Sequence, residues 1–231
     1  LDFYVTREDG EIKLKLFCVD PSCLLRKACG KARSAVFFSG TLQPLAFYRD
    51  MLGGEEGDRV MCLSSPFPPE NLCLMAVGNI STRYKDRQDS YEGIAGYIKA
   101  AAGRTGNYMV FFPSFEYMRN VYERYRSFWP EDTTMIQESH MDDRDRERFL
   151  NSFETDPPQS MIAFAVMGGI FSEGIDLAGD RLSGAIVVGV GLPQLSPERD
   201  IIARYYTESN GQGFEYAYQF PGMNRVLQAA G

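Results

Sequence analysis

Glu173 and Asp176 are the two side chains whose type and spacing best suit chemistry. They stand three residues apart in Gly168-Gly169-Ile170-Phe171-Ser172-Glu173-Gly174-Ile175-Asp176. Two carboxylates in a glycine-flanked connection have two chemical uses. They can form an acid and base pair, which requires a closed pocket and separated pKa values. They can instead orient a ligand at the carboxyl end of a buried strand, where open α/β sheets bind. Turn or cap residues are the ordinary alternative. Gly174, between them, permits close backbone approach.

The elements that must hold this pair lie around it. Residues 161–167 and 185–190 are apolar runs with the length and character of buried parallel strands. Residues 107–112 form a third strand candidate, broken by Pro113-Ser114. The next stretch, 115–128, repeats Phe115, Met118, Val121, Tyr122 and Tyr125 at helical spacing. A short strand is expected over 133–137. A charged helix is expected over 142–153, anchored by Phe149, Leu150 and Phe153 and supported by Asp142 with Arg146 and Asp145 with Arg148. Further helices are expected over 91–102, over 198–209 and from about Met223. Strands alternating with helices predict an α/β fold with a mostly parallel sheet flanked by helices.

Upstream, Ile12, Leu14, Leu16 and Cys18 alternate with Lys13, Lys15 and Phe17 after a turn at Asp9-Gly10, which predicts an entering strand. Asp20-Pro21-Ser22 opens a helix over 23–31. Residues 34–39 (SAVFFS) read as a buried strand, followed by a helix over 44–52 that Gly53-Gly54 stops. Residues 57–69 form a proline-rich connection, 71–77 a strand and 79–89 a charged loop. In that loop Arg83 and Tyr84 offer a phosphate contact and a stacking face for single-stranded nucleic acid, with plain solvated surface as the alternative. Phe214, Tyr216, Tyr218 and Phe220 alternate in a run that suits a strand or a helix, and serve either base stacking or domain packing.

Residues 169–176, GIFSEGID, resemble motif V of the XPD/DinG-type superfamily 2 DNA helicases, which carry a G-x-x-x-E-G-I-D run. Three further stretches follow that family's order: residues 38–45 (FSGTLQPL), 110–115 (VFFPSF) and 227–231 (LQAAG). Ser39-Gly40-Thr41 is similar to motif III and the Pro113-Ser114 turn to motif IV. Leu227 onward is similar to the opening of motif VI, Q-A-x-G-R-x-x-R, so the chain is expected to stop one residue before the first arginine of that motif. The resemblance implies a RecA-like three-layer domain, the C-terminal motor lobe of an ATP-dependent DNA helicase. It divides the chain into an entering segment, 1–55, and a lobe, 56–231, or one continuous domain.

By the same resemblance, Glu173 senses nucleic acid or orients a polar network, and Asp176 binds ribose or organises water at the seam with an N-terminal motor lobe of the same protein. Gly174 and Gln228 belong to the nucleotide side. Ser39, Thr41, Arg83, Tyr84, Ser114 and Arg181 are candidates for single-stranded DNA, Arg181 on charge and location alone. ATP and Mg2+ are implied for the intact enzyme. An iron-sulfur cluster, where relatives have one, would lie in the N-terminal half.

Composition sets bounds. The 231 residues are 44% hydrophobic and 24% charged, which suits a globular chain, with a net charge of −7. An acidic total argues against a nonspecific polyanion binder and leaves room for a local basic channel or a helix N-terminus that holds phosphate. Cys18, Cys23, Cys29, Cys62 and Cys73 form no C-x-x-C pair and His140 is the single histidine, so reduced thiols are expected and no metal site. No lipid-length apolar run or signal sequence stands out, which predicts a cytoplasmic protein without a membrane partner. Neither a G-x-x-x-x-G-K-[ST] cradle nor a D-E-x-H box occurs, so this chain alone is expected not to hydrolyse ATP. Two other classes stay open: an α/β enzyme using Glu173 and Asp176 within one pocket, and a noncatalytic nucleic-acid or protein-binding module derived from the helicase fold.

Overall fold

The computed structural model describes residues 2–8, 10–171 and 177–230. Strands β1 (Asp2–Glu8) and β2 (Glu11–Phe17) come first, followed by helices α1 (Ser22–Cys29), α2 (Leu45–Met51) and α3 (Arg87–Ala101). Strand β3 (Asn107–Phe112), helix α4 (Phe115–Phe128), strand β4 (Thr133–Ile136), helix α5 (Asp143–Asn151) and strand β5 (Met161–Val166) alternate after them. Strand β6 (Gly184–Val187) and helices α6 (Pro197–Asn210) and α7 (Phe220–Ala230) complete the order. The chain forms two compact units, one of Leu1–Met75 with Pro193–Asn224, the other of Ala76–Leu192 with Arg225–Gly231.

The second unit holds a four-stranded sheet in the order β4-β5-β3-β6, parallel at every pairing. Side chains alternate across a strand, so each core strand feeds two hydrophobic layers. Tyr108, Val110, Phe112, Ile162, Phe164 and Val166 meet α3 and α4 through Ile94, Ile98, Met118, Val121 and Tyr125. Met109, Phe111, Ala163, Ala165 and Met167 meet Phe149 and Phe153 of the α5 region and Ala229 of α7 on the opposite face. That is a three-layer α/β/α arrangement, as the resemblance to a helicase motor lobe implies. Both layers hold fully buried aromatics, each contributing about 1.5–3 kcal/mol relative to exposure.

Local chemistry sets the helix boundaries. Ser114 caps α4 by accepting from the Tyr117 amide at 3.3 Å. Asp142 and Asp145 form a reciprocal capping box at α5, and Arg148 donates to Asp145 one turn on. Helix α3 begins at Arg87, four residues before the expected start, so the charged 79–89 segment is partly helical.

In the first unit, β1 pairs with β2 in an antiparallel hairpin, of which the sequence predicts only the second strand. Phe47 of α2, Tyr206 of α6 and Tyr216 form its buried cluster. The aromatic run before α7 is helical: a wide turn, Glu215–Gln219, places Tyr216 4.1 Å from Tyr206 and 4.9 Å from Phe47 between ring centroids. Its aromatic alternation therefore serves packing.

Two expected strands do not form. Residues 34–39 and 71–77 carry apolar strand composition but make no ladder among the described residues, and Phe38 and Leu74 are 90% and 87% exposed. A strand needs a pairing edge as well as composition. No helix among the described residues is long and apolar enough to cross a membrane.

Candidate nucleotide and nucleic-acid edge

Parallel pairing places every strand's carboxyl end on one edge of the second unit. Phe112 is level with Val166, and Phe111 with Val187. From this edge emerge the Pro113-Ser114 turn after β3, residues 168–171 after β5, and Gly189 to Leu192 after β6. Glu173, Gly174 and Asp176 lie outside the described residues. The segment that carries them is described up to Phe171, which stacks on Phe149 at 4.2 Å between centroids. It resumes at Leu177, packed against the same core.

Two residues that sequence reasoning did not single out shape the start of this segment. Gln137, only 4% exposed, follows β4 and accepts from the Val166 amide at 2.9 Å through its side-chain oxygen. Its own amide donates to the Phe164 carbonyl at 2.8 Å. A Cβ on Gly169 would come within 3.2 Å of the Gln137 side-chain nitrogen, so the segment leaves β5 directly against this amide. Gln137 thus pairs the last amide of β5, which the β4 ladder does not reach. Replacing Gln137 with leucine should leave that amide unpaired and lower stability by about 1–3 kcal/mol. Urea unfolding of the chain followed by Trp129 fluorescence checks this, and an unchanged midpoint and slope would contradict it.

The second is Arg225 on α7. Its Nη1 donates to the Gly191 carbonyl at 3.2 Å, and its side chain lies across Gly168, where a Cβ would sit 3.2 Å from Nε. Gly168 has φ 71°, a conformation that costs other residues about 1–2 kcal/mol. Glycine suits this position for its backbone angle, and a Cβ would in addition press on the passing guanidinium. Arg225 so ties α7 to the chain leaving β5 and β6. Gln228, half-buried, stands three residues further along the same helix. The only signal for Arg225 in the sequence was its nearness to the motif VI-like run.

The other candidates divide. Ser114 and Tyr84 are linked through Arg87: its guanidinium lies over the ring of Tyr117, whose amide Ser114 caps, and over the ring of Tyr84. Thr82 closes against Gly189, so the 79–89 segment borders the same sheet edge. Arg83 is exposed beside Tyr84. Burial pushes the Tyr117 hydroxyl up, while Ser90 and the Arg87 charge oppose the shift. Arg181 lies at the opposite edge, before β6. Its guanidinium donates to the Phe153 and Leu150 carbonyls at 2.9 and 2.8 Å, which ends α5 and leaves Arg181 a structural task at this position. Ser39 and Thr41 belong to the first unit. There the Ser39 hydroxyl accepts from the Thr41 amide at 3.1 Å in a local turn.

A parallel sheet with helices on both faces and three connections leaving one edge defines an open α/β fold, of the kind that binds ligands at the carboxyl ends of its strands. The family described as Helicase C-terminal domain matches residues 97–231, and the chain belongs to it, among XPD/CHL1-type DNA helicases. It is 25% identical to ATP-dependent DNA helicase CHL1 of Candida albicans, with 90% of this chain and 27% of that protein aligned. It is also 25% identical to ATP-dependent DNA helicase CHL1 of Yarrowia lipolytica, over 87% of this chain and 28% of that protein. Among solved structures, one named XPD helicase superposes with a TM-score of 0.66 at 19% identity, covering 98% of this chain and 41% of that one. The chain thus spans 27% of the length of the first of these relatives.

Proposed function

We propose that the chain is the C-terminal motor lobe of an ATP-dependent DNA helicase. In this reading it couples ATP hydrolysis in a cleft between two lobes to translocation on single-stranded DNA and to duplex unwinding. The observation that carries it is the sheet edge itself: the motif V-like segment leaves β5 between Gln137 and Arg225, and Arg225 anchors the helix that bears the motif VI-like residues to that departure point. A nucleotide-dependent movement at one element would therefore reach the other. Asp176, Gly174 and Gln228 serve nucleotide binding, Glu173 links nucleotide state to the DNA path, and Tyr84, Arg83 and Ser114 form part of that path. Ser39 and Thr41 act from the entering segment.

The partner lobe is an N-terminal motor lobe of the same protein. Support comes from the first unit, whose strand-like residues Val36 and Phe38, and hairpin residues Ile12 and Leu14, are exposed and apolar, as surfaces awaiting a sheet or core are. Among the described residues no three His, Cys, Asp or Glu side chains converge. In this reading Mg2+ belongs with the ATP that both lobes share. Phosphoryl transfer gains from preorganised positive charge and hydrogen-bond donors, and in this reading the lobe contributes positioning to it.

The test is strand separation by the whole protein, this lobe joined to the lobe with the ATP cradle, on a forked duplex with a fluorophore and quencher. ATP with Mg2+ should release the labelled strand, and a nonhydrolysable analogue should not. Tight DNA binding without ATP turnover would instead favour the noncatalytic module.

A further inference from the structure

We infer that Arg87 is a phosphodiester-binding residue, its guanidinium over the rings of both Tyr84 and Tyr117, with the open face of Tyr84 taking the neighbouring base of a single strand. The inference rests on the reading of this lobe as part of a DNA motor and adds to it a residue and a mode of contact. The guanidinium carbon lies 4.7 Å from the Tyr117 ring centroid and 5.3 Å from that of Tyr84. The two plates differ. Tyr117 is 1% exposed and its hydroxyl is hydrogen-bonded to buried Ser90 at 2.6 Å, so it is a fixed wall. Tyr84 is 80% exposed, so its outer face is open.

Stacking satisfies the faces of a guanidinium and none of its donors, which lie in its plane. Among the described residues no carboxylate pairs with Arg87, and its Nε is buried without an acceptor. A buried guanidinium nitrogen without an acceptor is costly unless one arrives, and a phosphate matches the fork of a guanidinium. Room for one exists: an open cavity of about 290 Å³ is lined by Arg87, Tyr84, Lys85, Gln88, Asn120 and Glu116, among others. Two cations face one carboxylate there, so the cavity is net positive in an acidic chain. Asn120 donates to the Tyr91 hydroxyl at 3.0 Å, which fixes another part of the wall. A single strand presents a phosphate and a base face within one nucleotide step, as Arg87 and Tyr84 require.

The experiment is a fluorescence anisotropy titration of labelled oligo-dT with the full chain at several KCl concentrations. Arg87→Met should weaken binding by about 10–100-fold. It should also flatten the plot of log affinity against log salt by about 0.7, the share of one phosphate on a single strand. Arg87→Lys should restore the slope and only part of the affinity, since it keeps the charge without the planar fork. Tyr84→Ala should weaken binding with an unchanged slope. Trp129 fluorescence melts confirm that the variants fold. Should Arg87→Met prove unfolded, Arg87→Lys carries the test, because affinity equal to wild type would reject the fork. Equal affinity and slope for wild type and both Arg87 variants would overturn the clamp while leaving DNA binding intact. Wild-type chain that binds no oligo-dT would overturn both the clamp and the reading beneath it.

Discussion

Phe164→Ala is expected to lower the unfolding free energy of the second unit by about 3–5 kcal/mol, from the lost transfer energy and the cavity left behind. Phe164 is fully buried in β5 and packs against three rings: Phe112 at 6.1 Å, nearly parallel, Tyr122 at 5.1 Å and Tyr125 at 5.8 Å, both edge-on. Such aromatic pairs add about 0.5–1.5 kcal/mol beyond area burial. Domains are stable by only about 5–15 kcal/mol, so a substantial fraction of the margin goes with one side chain. The site goes with it, since Tyr122 and Tyr125 anchor the helix capped by Ser114, and β5 leads directly into Gly168 and Gly169. The readout is favourable. Trp129 is the single tryptophan and lies 4.9 Å from Tyr125, so its fluorescence reports this unit's unfolding apart from the other. Phe164→Leu should cost much less. A loss below about 1 kcal/mol for Phe164→Ala would mean that this layer is not the core.

What was legible in the sequence follows from what each element needs. Helix α4 was readable end to end because Pro113-Ser114 fixes its start and Met118, Val121 and Tyr125 mark its buried face. Strands β3 and β5 were readable because both faces are covered, which makes them continuously apolar. Residues 34–39 and 71–77 have the same composition and form no ladder, because composition cannot supply a pairing edge. The aromatic run before α7 was ambiguous since a wide helical turn and a strand both tolerate alternate rings.

At the site, the sequence pointed to the connection after β5 but not to what frames it. Gln137 looks like any glutamine until the register leaves the Val166 amide beside it. Arg225 shows its task only once Gly168 and Gly191 are beneath it. Arg87 stood in the charged 79–89 stretch, where type and spacing pointed to Arg83 instead. Arg181, chosen for its charge, proved to hold carbonyls at the end of α5, where a guanidinium fork is equally useful.

Glu173→Gln is the second large effect expected, and the most direct test of the motor-lobe reading. The substitution keeps size and reach, removes the charge and turns one carboxylate acceptor into an amide donor. If Glu173 transmits the presence of DNA to the nucleotide, loss of that charge should mis-set the catalytic arrangement, and misplacements of about 1 Å cost rates on the order of 100-fold. The measurement is ATP turnover by the whole protein with saturating single-stranded DNA, wild type against Glu173→Gln, with Trp129 melts as the control for folding. The account predicts stimulated turnover reduced by about 10–100-fold, a basal rate changed far less and an unchanged melt. Undiminished turnover at saturating DNA would contradict it and return Glu173 to the role of an ordinary turn residue.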